Sequence, residues 1–145
     1  MEAQLDITGA IRTREFSKGP ARHWLIPPEV YGALNEEFHF NFDPFPYPRP
    51  SGWNALKMDW GSVNFVNPPF IREGRIGITA YVRKAIEENK KGKMVVLTLP
   101  IHGYFNLLME AGAEMRSMGR VRWLEVQSRK PMQAAVNTAC VVLKG

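Results

Sequence analysis

Residues 63–70 read Val63-Asn64-Phe65-Val66-Asn67-Pro68-Pro69-Phe70, and these eight positions decide how the chain is organised. The β-branched and aromatic side chains of 63–66 predict a short strand, and two prolines that cannot donate to a sheet ladder stop it. Downstream, Ile78, Tyr81, Val82, Ala85 and Ile86 fall at i, i+3, i+4, i+7 and i+8, the apolar stripe of an amphipathic helix. Lys90-Lys91-Gly92 closes that helix, with basic residues at the negative end of the dipole and then a terminating glycine. Residues 94–99, Met-Val-Val-Leu-Thr-Leu, form a continuous apolar run, as in a strand covered on both faces. Strand, helix and strand at this spacing predict an α/β sheet with a parallel crossover.

Working upstream, Phe38-His39-Phe40-Asn41-Phe42 alternates aromatic and polar residues and predicts a strand that ends at Asp43-Pro44. The prolines of Pro44-Phe45-Pro46-Tyr47-Pro48-Arg49-Pro50 forbid helix and central strand, leaving a stiff loop. Trp24-Leu25-Ile26-Pro27-Pro28-Glu29 reads as a helix entry, followed by the stripe Val30, Tyr31 and Leu34 up to about Glu37. Residues 1–22 lack a period and are read as an N-terminal arm, with 23–145 as a single domain. Beyond residue 100, a helix is expected over 104–111, then strands near 114–118, 121–126 and 136–143, the last two as a C-terminal hairpin.

The 145 residues are 45% hydrophobic and 23% charged, ordinary for a globular domain. No run approaches the ~20 apolar residues of a membrane span, and the first residues lack the apolar core of a signal peptide. A lone cysteine, Cys140, forbids an internal disulfide, fits a reducing, cytoplasmic setting, and lies in an apolar run that predicts a core position. His23, His39 and His102 are scattered, so no metal site is expected. Residues 1–70 hold six Lys/Arg against eight Asp/Glu, while 71–145 hold thirteen against six. That asymmetry suits a polyanionic partner, nucleic acid first among them; solubility alone is the other explanation.

Open α/β sheets bind ligands beyond the carboxyl ends of their strands. Two strand ends here carry unusual residues, Asp43-Pro44-Phe45 and Asn67-Pro68-Pro69-Phe70. The second combines an amide, two rigid rings and an aromatic, a preset corner for a flat ligand with N–H donors.

The run from Trp24 to about Arg122 resembles the phage-type DNA adenine methyltransferases, a Dam-like family. The resemblance rests on Trp24-Leu25-Ile26-Pro27, Phe42-Asp43-Pro44, Trp60-Gly61-Ser62-Val63, Asn67-Pro68-Pro69-Phe70, Leu97-Thr98-Leu99-Pro100 and Gly119-Arg120-Val121. It implies a reduced Rossmann-like class I methyltransferase fold, a mixed sheet with flanking helices, using S-adenosyl-L-methionine. The implied reaction is methylation of the 6-amino group of adenine in DNA, in the host cytoplasm if the chain is phage-encoded.

On that resemblance Asn67 and the Pro68 carbonyl would accept the amine's N–H bonds, with Pro69 shaping the corner and Phe70 stacking on a flipped base. Asp43, Pro44 and Phe45 would meet the methionine part of the cofactor, and Asp59 its adenine amine. A turn or helix cap is the alternative for each acid. Arg72, Arg75, Arg120 and Arg122 are the phosphate candidates, with Arg116, Arg129 and Lys130 nearby; Arg83, Lys84, Lys90, Lys91 and Lys93 are expected on a solvated helix face. His102 and Tyr104 either line the cleft or cap a helix.

Two departures weigh against the full activity. No two glycines stand two apart, so the usual glycine-rich loop is absent, and only 24 positions separate Asp43 from Asn67. The alternatives are therefore a catalytically silent nucleic-acid-binding module of the same fold, or a methyltransferase acting on RNA or protein glutamine. Oligomeric state, a homodimer included, is left open by the sequence.

Overall fold

The protein is described here by a computed structural model covering residues 24–69, 76–132 and 135–145. The expected arm 1–22, together with Phe70, Arg72 and Arg75, lies outside the described residues. The elements in chain order are β1 (Trp24–Leu25), α1 (Pro28–Phe38), a 3-10 turn (Ala55–Lys57), β2 (Val63–Val66), α2 (Ile78–Lys90), β3 (Met94–Pro100), α3 (Phe105–Glu110), β4 (Glu114–Val121), β5 (Leu124–Glu125) and β6 (Val136–Leu143).

The result is a small mixed α/β protein. Its main sheet has the order β2-β3-β6-β4, and β1 and β5 form a separate antiparallel ribbon. β2 and β3 are parallel, from Val63↔Met94 to Val66↔Leu97, so α2 is the expected crossover. β6 runs antiparallel to both neighbours, which leaves β2, β3 and β4 pointing the same way. The helices cover both faces. Val95, Leu97 and Leu99 of β3 pack with Tyr81, Val82 and Ala85 of α2 and Leu108 of α3. Val96, Cys140 and Val142 face Leu34 and Phe38 of α1. A strand buried on both sides explains the unbroken apolar run at 94–99. Cys140 is core, as expected, and burial pushes its thiol up to about 11.

Three expectations need correction. Residues 38–42 do not form a full strand: Phe38 ends α1, and His39 reverses the chain in a left-handed conformation (φ 55°) with its N–H on the Asn35 carbonyl. Only Phe42 joins the sheet, as a parallel bridge to Asn64. This close approach needs Gly61, where an added Cβ would lie 2.6 Å from the Phe42 Cβ. Second, Trp24–Leu25 is a strand; the helix begins only at Pro28, after Pro27. Third, β6 pairs antiparallel with β3 and β4, and the 121–126 region does not pair with β6 beyond Val121, so the expected hairpin does not form. A register shift between Ser117 and Gly119, with Gly119 at φ 70°, twists β4, and β5 departs to pair with β1.

The basic residues around α2 are also not all solvated. Lys84 is buried, and together with Lys91 and Lys93 it converges on Glu88, which has no exposed surface. Glu88 also accepts the Trp60 backbone N–H at 3.1 Å. Burial opposes its charge, but the three ammonium groups outweigh this and hold its carboxyl well below the usual range. A lysine spaced four residues before a glutamate on one helix face carried the signal for this cluster.

Candidate functional site

Phe42 and β2 run parallel, so Asp43 and Asn67 leave the sheet at the same edge. Asp43 Oδ1 accepts the Phe45 N–H at 2.8 Å, the geometry of an Asx turn. Its other oxygen, Oδ2, is closed to solvent and has no hydrogen-bond partner among the described residues. Burial raises the carboxyl to about 7, against the pull of the Phe45 N–H. Asp43 thus does cap a turn, but that accounts for only half of its carboxylate.

Beside this turn lies a cavity of about 280 Å³. Pro44, Phe45 and Pro46 form one wall, Trp53, Asn54, Ala55 and Leu56 another, and Pro69, Ile76 and Tyr81 a third. The walls are braced from behind. Trp53 stacks on Phe42 at 5.9 Å and donates its indole N–H to the Pro44 carbonyl at 2.8 Å. Asn54 caps the 3-10 turn through Oδ1 on the Leu56 N–H, and Trp60 donates its indole N–H to the Ala55 carbonyl. Phe45 meets Tyr81 edge-on at 4.6 Å. Arg49 and residues 53–56 were missed in the sequence, where 51–61 has no period; only an Asn before a short turn hinted at a capped structure there.

Asn67 is 3% exposed, and its Nδ2 donates to the Trp24 carbonyl at 2.8 Å. Pro68 and Pro69 are buried, and Pro69 reaches the cavity wall. The structure therefore gathers Asp43, Pro44, Phe45, Asn67, Pro68 and Pro69 at one edge. Phe70 lies outside the described residues.

Asp59 does not join them. It precedes β2, on the opposite edge from Asn67, and its exposed carboxylate pairs with Lys91 at 3.3 Å. Arg116 is held by Glu37 and Glu114 and lies over the Phe38 ring, so it is not available to phosphate. Arg120 is exposed on β4, and Arg122, also exposed, donates to the Met132 carbonyl at 2.9 Å. Tyr104 turns its hydroxyl onto the Pro100 carbonyl and packs against His102; neither lines the cavity.

The fold and this edge define a small mixed α/β protein with a cavity beside two neighbouring chain segments that leave the sheet together. Comparison with family models, curated proteins and solved structures finds no match for this chain. Among the described residues no group of His, Cys, Asp and Glu is placed to hold a metal ion, and no helix is long and apolar enough to cross a membrane.

Proposed function

We propose that this protein methylates the 6-amino group of adenine in DNA, using S-adenosyl-L-methionine, with Asn67 and Pro68 as the reaction corner. The observation that carries the proposal is the shared edge: Asp43-Pro44-Phe45 and Asn67-Pro68-Pro69 leave neighbouring parallel segments, and they reach one cavity through Pro44, Phe45 and Pro69. Three strands running the same way, with one antiparallel strand between two of them, are compatible with the reduced methyltransferase fold expected from the sequence.

The cofactor's ends fit unequally. Asp43 Oδ2, buried without a hydrogen-bond partner among the described residues, suits a cationic amine. Pro44 and Phe45 offer apolar contact beside it. Asp59 cannot serve the adenine end from the opposite edge; Trp53 and Asn54 on the cavity wall take that place. A volume of about 280 Å³ is near the lower end of ligand pockets, ~300–1,000 Å³. When bound, the cofactor supplies an electrophilic methyl group on a sulfonium.

This chain's own contribution is orientation. The hydrogen bond to Trp24 fixes the Asn67 amide plane and hence the direction of Oδ1. Oδ1 and the Pro68 carbonyl accept the two N–H bonds of the target amine, drawing its lone pair out of conjugation and stabilising the positive charge that develops. Asn67 is buried, so a base reaches it only after leaving the duplex and displacing a neighbouring side chain. RNA adenine and protein glutamine present a similar planar amine; the basic second half of the chain favours nucleic acid.

One observation favours the second reading, a silent nucleic-acid-binding module: the expected adenine acceptor, Asp59, is on the wrong edge. Labelled S-adenosyl-L-methionine incubated with unmethylated DNA, RNA and protein tests both. Label in DNA adenine supports the proposal, and none across varied sequences and salt overturns it. DNA binding without cofactor binding in calorimetry assigns the silent role.

A further inference from the structure

We propose that the β1–β5 ribbon grips a nucleic-acid backbone phosphate beside the target base, through Arg129 in the turn after β5. This inference rests on the nucleic-acid reading above and adds the element that positions the strand.

The ribbon is tied to the reaction corner. β1 and β5 pair as Trp24↔Glu125 and Leu25↔Leu124, and the Trp24 carbonyl is the acceptor for Asn67 Nδ2. The same ribbon packs on the loop after Asp43: Leu25, Tyr47 and Val126 form one buried cluster. That loop therefore has the cavity on one side, at Pro44, Phe45 and Pro46, and the ribbon on the other, at Tyr47.

The turn presents a prepared cation. The Arg129 N–H closes it on the Glu125 carbonyl at 2.8 Å, and Glu125 Oε1 accepts the Gln127 and Ser128 N–H groups. Arg129 itself sits at φ 62°, a left-handed conformation that a side chain adopts only when its surroundings impose it. Its guanidinium lies over the Tyr47 ring at 5.7 Å, a cation–π contact. Nη1 is shut off from solvent yet meets no hydrogen-bond acceptor among the described residues. Arg116 shows the contrast, with two carboxylates satisfying its guanidinium. A half-buried guanidinium with an unmet donor suits an oxyanion, and the planar fork matches phosphate in particular. Exposed Lys130 follows directly and adds positive charge. Phosphate contacts of this kind set register and carry no sequence information.

The test uses the full chain and fluorescence anisotropy with random-sequence DNA duplexes at several salt concentrations. The variants are Arg129→Gln and Arg129→Gly, the latter because glycine accepts φ 62° and preserves the turn. The control is Arg83→Gln on the exposed side of α2. Both Arg129 variants should bind about tenfold more weakly at low salt, and the slope of log affinity on log salt should flatten by about 0.9. Arg83→Gln should keep the parent slope. A folded Arg129→Gly protein with parent affinity and slope overturns the ribbon's role, as does a parent that binds no DNA at low salt. Methyl transfer is measured on the same samples. Arg129-dependent binding without transfer removes the methyltransferase reading and leaves the ribbon standing; transfer with unchanged Arg129 variants removes only the ribbon.

Discussion

Asn67 Nδ2 and the Trp24 carbonyl, 43 positions apart in the chain, are joined by a hydrogen bond of 2.8 Å. One amide therefore belongs both to the reaction corner and to the anchor of the β1–β5 ribbon. Asn67→Ala should abolish methyl transfer and also leave a carbonyl without its donor, at a stability cost of about 1–3 kcal/mol. Denaturant melts beside single-turnover assays separate the two effects. Transfer that survives in the folded variant would place the reaction elsewhere.

Asp43 should make stability fall as pH rises. In the folded protein its carboxyl keeps a proton up to about pH 7, whereas the unfolded chain gives it up near 3.8. Between those values the folded state binds more protons, so stability decreases with pH and levels off above 7. Asp43→Asn should remove this decline, visible in melting temperatures from pH 4 to 8. The same variant should weaken cofactor binding, and the parent's affinity for the cofactor's amine should rise through pH 7 as the carboxylate forms.

Glu88→Gln should destabilise the fold by about 2 kcal/mol, because three lysines lose their shared carboxylate while the Trp60 N–H keeps an acceptor. The figure is below that of a deep ion pair because Lys91 is 45% exposed and reaches water. The sign of the acid response is opposite to that of Asp43. A carboxyl held below its usual value contributes stability that is lost as pH falls below about 4.5. Acid titration of parent and variant should converge at low pH.

Ser51→Trp and Asp59→Ala test where the cofactor lies. Ser51 is exposed at the cavity wall, so a bulky ring there should block binding without disturbing the core. Asp59 is on the other edge, so its removal should leave cofactor affinity unchanged. Calorimetry on both variants checks this; loss of affinity in Asp59→Ala alone would move the site to that edge.

The local pattern of the sequence determined the strand-helix-strand from Val63 to Pro100, the Gly92 and Gly112 helix ends, the core position of Cys140 and the proline-stopped end of β2. Each depends on nearest-neighbour physics: periodicity, proline's missing donor, glycine's freedom at positive φ. Tertiary structure alone decided the partners. Phe42 reaches the sheet by a single bridge because Gly61 lets it approach, and β6 enters between β3 and β4. Lys84 is drawn inward by Glu88, while Asp59 is carried to the far edge. Strand pairing and the placement of charges are contacts between residues far apart in the chain, and their energies depend on burial and distance that no local pattern encodes.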